Sequence, residues 1–362
     1  MKARSRGYPQ LVGISFLLVL TAAAFSIGVS VSQDEERIKK WEADLKMEPV
    51  PKSAKELKLE YFFPTDEQEN IDIIIESGRG ICLDPKDDVY VSDSKAGKIL
   101  KFDFRGNFIK AFGRKGQGPG EYTSPGSLIC DPDGNLLVDG QNRQILTFDP
   151  NGKFVKRFRI EKGYTCLAMD GVGRIYANNR SREYEKEDLI EVLDRSGATI
   201  RAFGKRILFK NITPSHNEVR IDVSRDQRLF MVWEEFNVFR IYSLEGKVLA
   251  EGKFSYKPLD EISDINLESK MVDGSITFRN LFVGMCEDNG KFFLLRHYPR
   301  MEIFESNDKG EIENIYWLKT VYNYIGRNLF VVHRNGRMYF VTLQVFPEER
   351  VEVYSIADDT SA

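Results

Sequence analysis

The 362-residue sequence has little histidine, little cysteine and almost no net charge. Its three histidines are His216, His297 and His333, and its four cysteines, Cys82, Cys130, Cys166 and Cys286, form no CxxC pair. A zinc site of the ribbon or finger type is not expected, nor any other resident metal or cofactor. Basic and acidic residues number 52 and 55, leaving a net charge of −3. No global field therefore favours nucleic acid or an anionic membrane surface. There is no G-x-S-x-G nucleophile elbow and no GK[ST] phosphate loop, and no catalytic residue is assigned. Helix-period segments between the strand-like runs are lacking too, which argues against an α/β barrel or a doubly wound sheet.

The N-terminus departs from this average. Lys2, Arg4 and Arg6 precede a stretch free of charge until Asp34, with the centre LVGISFLLVLTAAAFSIGVSV. Cations followed by an apolar run are the pattern of an export signal. Cleavage would fall after Ala24 or Ser32, and a run of about 20 residues also suffices to span a bilayer uncut. Both readings put the rest of the chain outside the cytoplasm, periplasmic or extracellular. The membrane would be touched only through this segment, if it is kept. The expected layout is a signal or anchor over residues 1–32, a charged helical and proline-containing linker over 33–55, and a folded unit over 56–362.

Short polar turns recur along that unit. One series reads DPKDD, DPDGN, DGVGR, SRDQR, EDNGK and HRNGR, from residues 84, 131, 170, 224, 287 and 333. A second reads DFRGN, DPNGK, DRSGA, SLEGK and NDKGE, from 103, 149, 194, 243 and 307. Asp, Asn, Pro and Gly are what tight turns demand, and the flanking runs, such as DVYVSD and RLFMVW, are rich in β-formers. Each repeat is four strands in about 50 residues, the signature of a propeller blade. The expected fold is all-β, a six-bladed β-propeller of four-stranded antiparallel blades. The sixth copy lacks a strand, which would leave an open edge. The orphan run LKLEYFF, Leu57 to Phe63, is predicted to close that last blade from the N-terminal side.

Residues 102–155, from FDFRGNFIKAFGRKGQGPGEY through CDPDGNLLVDGQNRQILTFDPNGKFV, resemble two consecutive NHL-type repeats. Ile99, Phe102, Asp103, Gly106, Phe108, Gly113, Gly116, Gly118, Pro119, Gly120, Glu121 and Pro125 fit the recurring pattern. The resemblance is to exported bacterial six-bladed propeller proteins. It is strong over the first two copies and fades in the last three. It implies a fold and a binding role; most members of that group have no assigned reaction.

The glycine-rich stretch FGRKGQGPGEY is followed by another strand and turn, with Pro119 and Pro125 blocking a helix, so it is read as a joint between blades rather than a phosphate cradle. Glu121 is expected to anchor the joint by accepting backbone hydrogen bonds. The loops at the opposite end from the short turns vary, and variable loops on a rigid ring are where binding residues concentrate. The candidate ligand-binding residues are Asp93, Asp139, Asn142, Asn179, Arg182, Trp233, Glu234, His297, Tyr298 and Arg300, with Gln141, Asn178, Tyr184 and Glu235 beside them. Asp93 and Asp139 also have a turn-capping reading. The expected function is an exported, non-enzymatic module that binds a protein, peptide or glycan of the cell envelope. The alternative is a metal-assisted, lactonase-like hydrolase or lyase at the mouth of the central channel.

Overall fold

The structure, a computed structural model, describes residues 50–65, 73–162, 164–179, 188–207, 217–268, 279–296, 300–318, 325–346 and 348–357. The signal or anchor segment 1–32 and residues 33–49 of the linker 33–55 lie outside them. Strand β1 (Lys55–Phe63) comes first. The first four-stranded sheet is β2 (Gly78–Leu83), β3 (Val89–Asp93), β4 (Lys98–Phe102) and β5 (Phe108–Phe112). β6 (Arg114–Lys115) and β7 (Glu121–Tyr122) pair in parallel within the following joint. The second sheet is β8 (Leu128–Cys130), β9 (Leu136–Asp139), β10 (Gln144–Phe148) and β11 (Phe154–Arg159). The third is β12 (Tyr164–Met169), β13 (Ile175–Asn179), β14 (Ile190–Leu193) and β15 (Thr199–Phe203). The fourth is β16 (Val219–Val223), β17 (Arg228–Trp233), β18 (Phe239–Ser243) and β19 (Val248–Gly252). A helix, α1 (Lys257–Glu268), separates it from β20 (Gly284–Asp288), β21 (Lys291–Arg296), β22 (Glu302–Ser306) and β23 (Ile312–Trp317). β24 (Ile325–Arg334), β25 (Arg337–Phe346) and β26 (Arg350–Ile356) complete the chain.

The turns follow from the Asp residues that open them. Asp84 Oδ1 accepts from the N–H groups of Lys86 and Asp88, and Asp103, Asp131, Asp149, Asp170 and Asp194 do the same two and four residues on. Local carboxylate-to-backbone bonds of this kind fix a tight turn with little help from the rest of the fold. Central strands such as β3, VYVSD, are buried along their whole length, whereas the outer strand β5, FIKAF, alternates. Cations on the outer strands reach across to the next sheet. Lys110 Nζ donates to Asn151 O, Lys156 Nζ to Arg195 O and Arg201 Nη1 to Leu244 O, each at 2.8 Å.

The arrangement is propeller-like. β2, β8, β12, β16, β20 and β24 each touch the next, and β24 touches β2, so the first strands close a ring. Apolar clusters sit between neighbouring sheets, for example Tyr90, Leu136 and Phe148 between the first and second and Tyr176, Leu229 and Trp233 between the third and fourth. β1 pairs antiparallel with β26 from Leu57↔Ile356 to Phe63↔Val351, the pairing expected from the sequence.

Two expectations need correction. Among the described residues, separate four-stranded sheets number four rather than six, because eight further strands form one sheet in the order β20-β21-β22-β23-β1-β26-β25-β24. The cause is a short parallel pairing of Lys55 with Tyr316 and of Glu56 with Trp317, by which the start of β1 bridges two four-strand groups. The second correction is α1. Its buried Leu259, Ile262, Ser263 and Asn266 follow helical spacing, a pattern present in the sequence but short and flanked by strands. Among the described residues no helix is long and apolar enough to cross a membrane.

The joint at Phe112–Tyr122 is built as expected. Gly118 N donates to Glu121 Oε2 at 2.8 Å, Glu121 N donates to Gly118 O, and Arg114 pairs with the same carboxylate. Gly116 has φ of +155° and a Cβ there would collide with the Glu121 carboxylate, so only glycine fits.

Candidate axial binding site

The ring of first strands surrounds a cavity of about 690 Å³. That is within the range of small-molecule sites, roughly 300–1,000 Å³. Its walls carry Ile81, Leu128, Met169, Met285 and Phe330, with Arg220, Asp222 and Asn328 among them. It reaches the short turns at Asp84–Pro85, Asp131–Pro132, Asp170–Gly171 and Ser224–Arg225. Most of these residues stand one to four places before a turn of the first series, which is the signal by which the sequence could have pointed to them.

Asp222 and Arg220 stand among the charged groups of its lining. Asp222 accepts from Glu287 N and Val223 N, each at 2.8 Å, and burial pushes its carboxyl up to about 6. Arg220 pairs with Glu234 at 2.9 Å. Glu235, next in the chain, is pushed up to about 8 by burial and by the neighbouring Glu234 and Glu218 carboxylates. Burial and the charges of Arg79 and Arg220 hold Arg327 below the usual guanidinium range. The arrangement can hold an amphipathic group, with an apolar body against the methionines and Phe330 and a polar end toward Asp222 and Arg220.

The loop candidates that are among the described residues occupy the opposite end of the sheets, near the ends of second strands. Asp93 accepts from Glu76 N, Lys95 N and Ala96 N, and so caps its turn. Asp139 accepts from Gln141 N at 2.9 Å, and burial pushes it up to about 6. Asn142 is exposed, with φ of +51°, and donates to Thr123 Oγ1 at 2.5 Å. Asn179 ends β13, where Tyr164 pairs with it. Trp233 is 0% exposed and its Nε1 donates to Asn217 Oδ1 at 2.8 Å, deep in the core between the third and fourth sheets. A local run of apolar residues ending in Trp-Glu-Glu does not reveal that the two glutamates are buried along with the tryptophan. Arg300 pairs with Glu302 at 2.7 Å, and Glu302 also takes Arg296. Arg182, Tyr184, His297 and Tyr298 lie outside the described residues, as does His216. Among the described residues, none of the candidates lines the axial cavity; the structure brings Glu234 to its edge through Arg220. His333 meets Asp288 at 2.8 Å near the short-turn end. Among the described residues no group of three or more His, Cys, Asp or Glu side chains is placed to hold a metal ion.

No curated protein matches the sequence. Among solved structures, the fold is similar to that of a Bacteroides fragilis NCTC 9343 protein described as a candidate exported protein. The TM-score is 0.55 and the identity 12%, over 83% of this chain and 96% of that one. A streptogramin B lyase gives a TM-score of 0.48 at 14% identity, over 83% and 98% of the two chains. Virginiamycin B lyase from Staphylococcus aureus gives 0.48 at 11% identity, over 83% and 100%. Identities this low speak to fold alone, and the two lyases carry no weight for chemistry. Residues 85–314 match the family described as domain of unknown function DUF4934. That match spans more than half of the sequence, and the chain belongs to this family.

Proposed function

We propose that the protein is an exported, non-enzymatic propeller that binds a peptide or glycan of the cell envelope by taking one of its units into the axial cavity. The observation that carries the reading is the cavity itself: about 690 Å³, walled in part by methionines and Phe330, with Asp222 and Arg220 among its polar groups. Its size suits a side chain, a chain end or a sugar rather than a folded domain. Export is supported by the cations and apolar run at the N-terminus and by the description of the B. fragilis protein that shares the fold. We read the eight-stranded sheet as two blades joined only by the Lys55 and Glu56 bridge, which makes six blades of NHL type. The loop residues Asp139, Asn142, Glu234 and Arg300 then form the far rim, where a larger partner would add contacts.

The test is binding of the purified protein to peptide and envelope-glycan arrays, repeated with Met169→Trp, which narrows the cavity. A hit should weaken at least tenfold in the variant while the thermal midpoint stays near that of the wild type. A hit of undiminished affinity would remove the cavity from the reading, and arrays without any hit would remove the binding role.

A hydrolytic reading has one specific support. Burial and the neighbouring Glu234 and Glu218 carboxylates push Glu235 up to about 8, while Glu234 is ion-paired with Arg220, and two adjacent carboxyl groups in such different settings can divide acid and base roles. Turnover of an array hit that Glu235→Gln abolishes would favour it over simple binding.

A further inference from the structure

Cys82 lies in β2 and Cys130 in β8, the first strands of neighbouring sheets. These strands approach closely at one point. A Cβ on Gly80 would stand 2.7 Å from Gly126 O and 3.1 Å from Leu128 N, and Ser92 Oγ donates to Gly126 O at 2.7 Å. Two residues further along each strand, Cys82 Sγ and Cys130 Sγ face each other at 2.6 Å. Both side chains line the axial cavity. Among the described residues, neither of the other two faces a second sulfur: Cys166, also on the cavity wall, turns its Sγ toward Ile221 O of the fourth sheet at 3.8 Å, and Cys286 lies in the core beside Phe293 and Leu329.

We propose that Cys82 and Cys130 join in a disulfide that staples the first sheet to the second on the wall of the cavity. The oxidant is another disulfide, either a small one such as glutathione disulfide or one carried by an envelope oxidoreductase. One cysteine thiolate attacks a sulfur of the oxidant and expels a thiol, leaving a mixed disulfide. The second cysteine loses its proton, attacks the protein-side sulfur and expels the other thiol. The oxidant's S–S bond is thereby replaced by the Cys82–Cys130 bond, and both cysteine protons leave on the two product thiols. Burial pushes the Cys130 thiol well up, which slows exchange once the chain has folded. The bond therefore forms as the two sheets dock and resists reduction afterwards. The residues 48 apart that it links enclose β3 to β7, so the staple spans nearly the whole first sheet and its joint. Only glycine at position 80 permits the approach that brings the sulfurs together.

The full chain is refolded in glutathione disulfide, denatured with an alkylating agent present, and mapped by non-reducing peptide mass spectrometry. A linked pair of peptides carrying Cys82 and Cys130, with Cys166 and Cys286 alkylated, is expected. Dithiothreitol should lower the thermal midpoint of the wild type by several degrees and leave that of the double variant Cys82→Ser, Cys130→Ser unchanged. Four alkylated cysteines after oxidative folding would overturn the proposal. So would a linkage through Cys166 or Cys286, or an equal effect of dithiothreitol on the double variant.

Discussion

Replacing Phe63 by alanine tests the closure of the ring most directly. Phe63 ends β1, is 1% exposed and pairs with Val351 of β26. Its ring centroid lies 4.9 Å from that of Phe102 in the first sheet, within a cluster that also holds Val89, Val91, Val341 and Val353. One side chain from the N-terminal strand therefore seals the interface between the last strands of the chain and its first sheet. Truncation removes the transfer free energy of the ring and leaves a void, at a cost of about 3–5 kcal/mol. Whole domains are stable by about 5–15 kcal/mol, so the loss is large enough to read without ambiguity. The assay is urea unfolding followed by tryptophan fluorescence and circular dichroism, with Leu59→Ala as the control. Leu59 sits in the same strand but is 36% exposed, and its truncation should cost under about 1 kcal/mol. Both variants should unfold in one transition, because a closed ring has no end from which to fray. A Phe63→Ala loss no larger than that of the control, or a separate early transition, would refute the view that β1 is an integral closing strand.

Asp222 should make the protein less stable as pH rises. Its carboxyl is pushed up to about 6 by burial, against about 3.9 in an unfolded chain, so the folded state keeps the proton longer. The stability it contributes is complete below about pH 4 and is lost as pH rises through about 6. Asp222→Asn should raise stability near neutral pH by about 1–2 kcal/mol and flatten the slope between those values; urea melts showing an unchanged slope would contradict this. Gly80→Ala places a Cβ 2.7 Å from Gly126 O, and the forced shift of backbone should cost about 1–3 kcal/mol, visible as a lower thermal midpoint. Glu302→Gln leaves the buried Arg296 without its carboxylate partner and should cost about 3–5 kcal/mol. Adding Arg296→Met should recover part of that loss, and a double variant as unstable as the single one would show that charge burial is not the cause.

Local chemistry carried much of this fold. Asp84, Asp131 and Asp170 bond to N–H groups within four residues of themselves, so each turn is written where it forms, and the alternation in β5 needs only its own five residues. Closure by Leu57–Phe63 was legible because a three-strand copy leaves an edge that only a spare strand can fill. The joint at Glu121 was legible for the same reason as the turns. The burial of Trp233 was not, because it depends on how the third sheet packs on the fourth. Helix α1 was hidden by its brevity: Leu259, Ile262, Ser263 and Asn266 span barely two turns between strand-rich segments.

The sequence by itself determined an all-β chain of repeated antiparallel strands, the places of its tight turns and the partner of its N-terminal strand. Only the tertiary structure decided that eight of the strands merge into one sheet, that a cavity runs along the axis toward the short turns, and that Cys82 meets Cys130. Turns and alternation are set by neighbours a few residues apart. The cavity and the cysteine pair are set by the register between sheets whose residues lie tens to hundreds of positions apart, and no local pattern encodes that register.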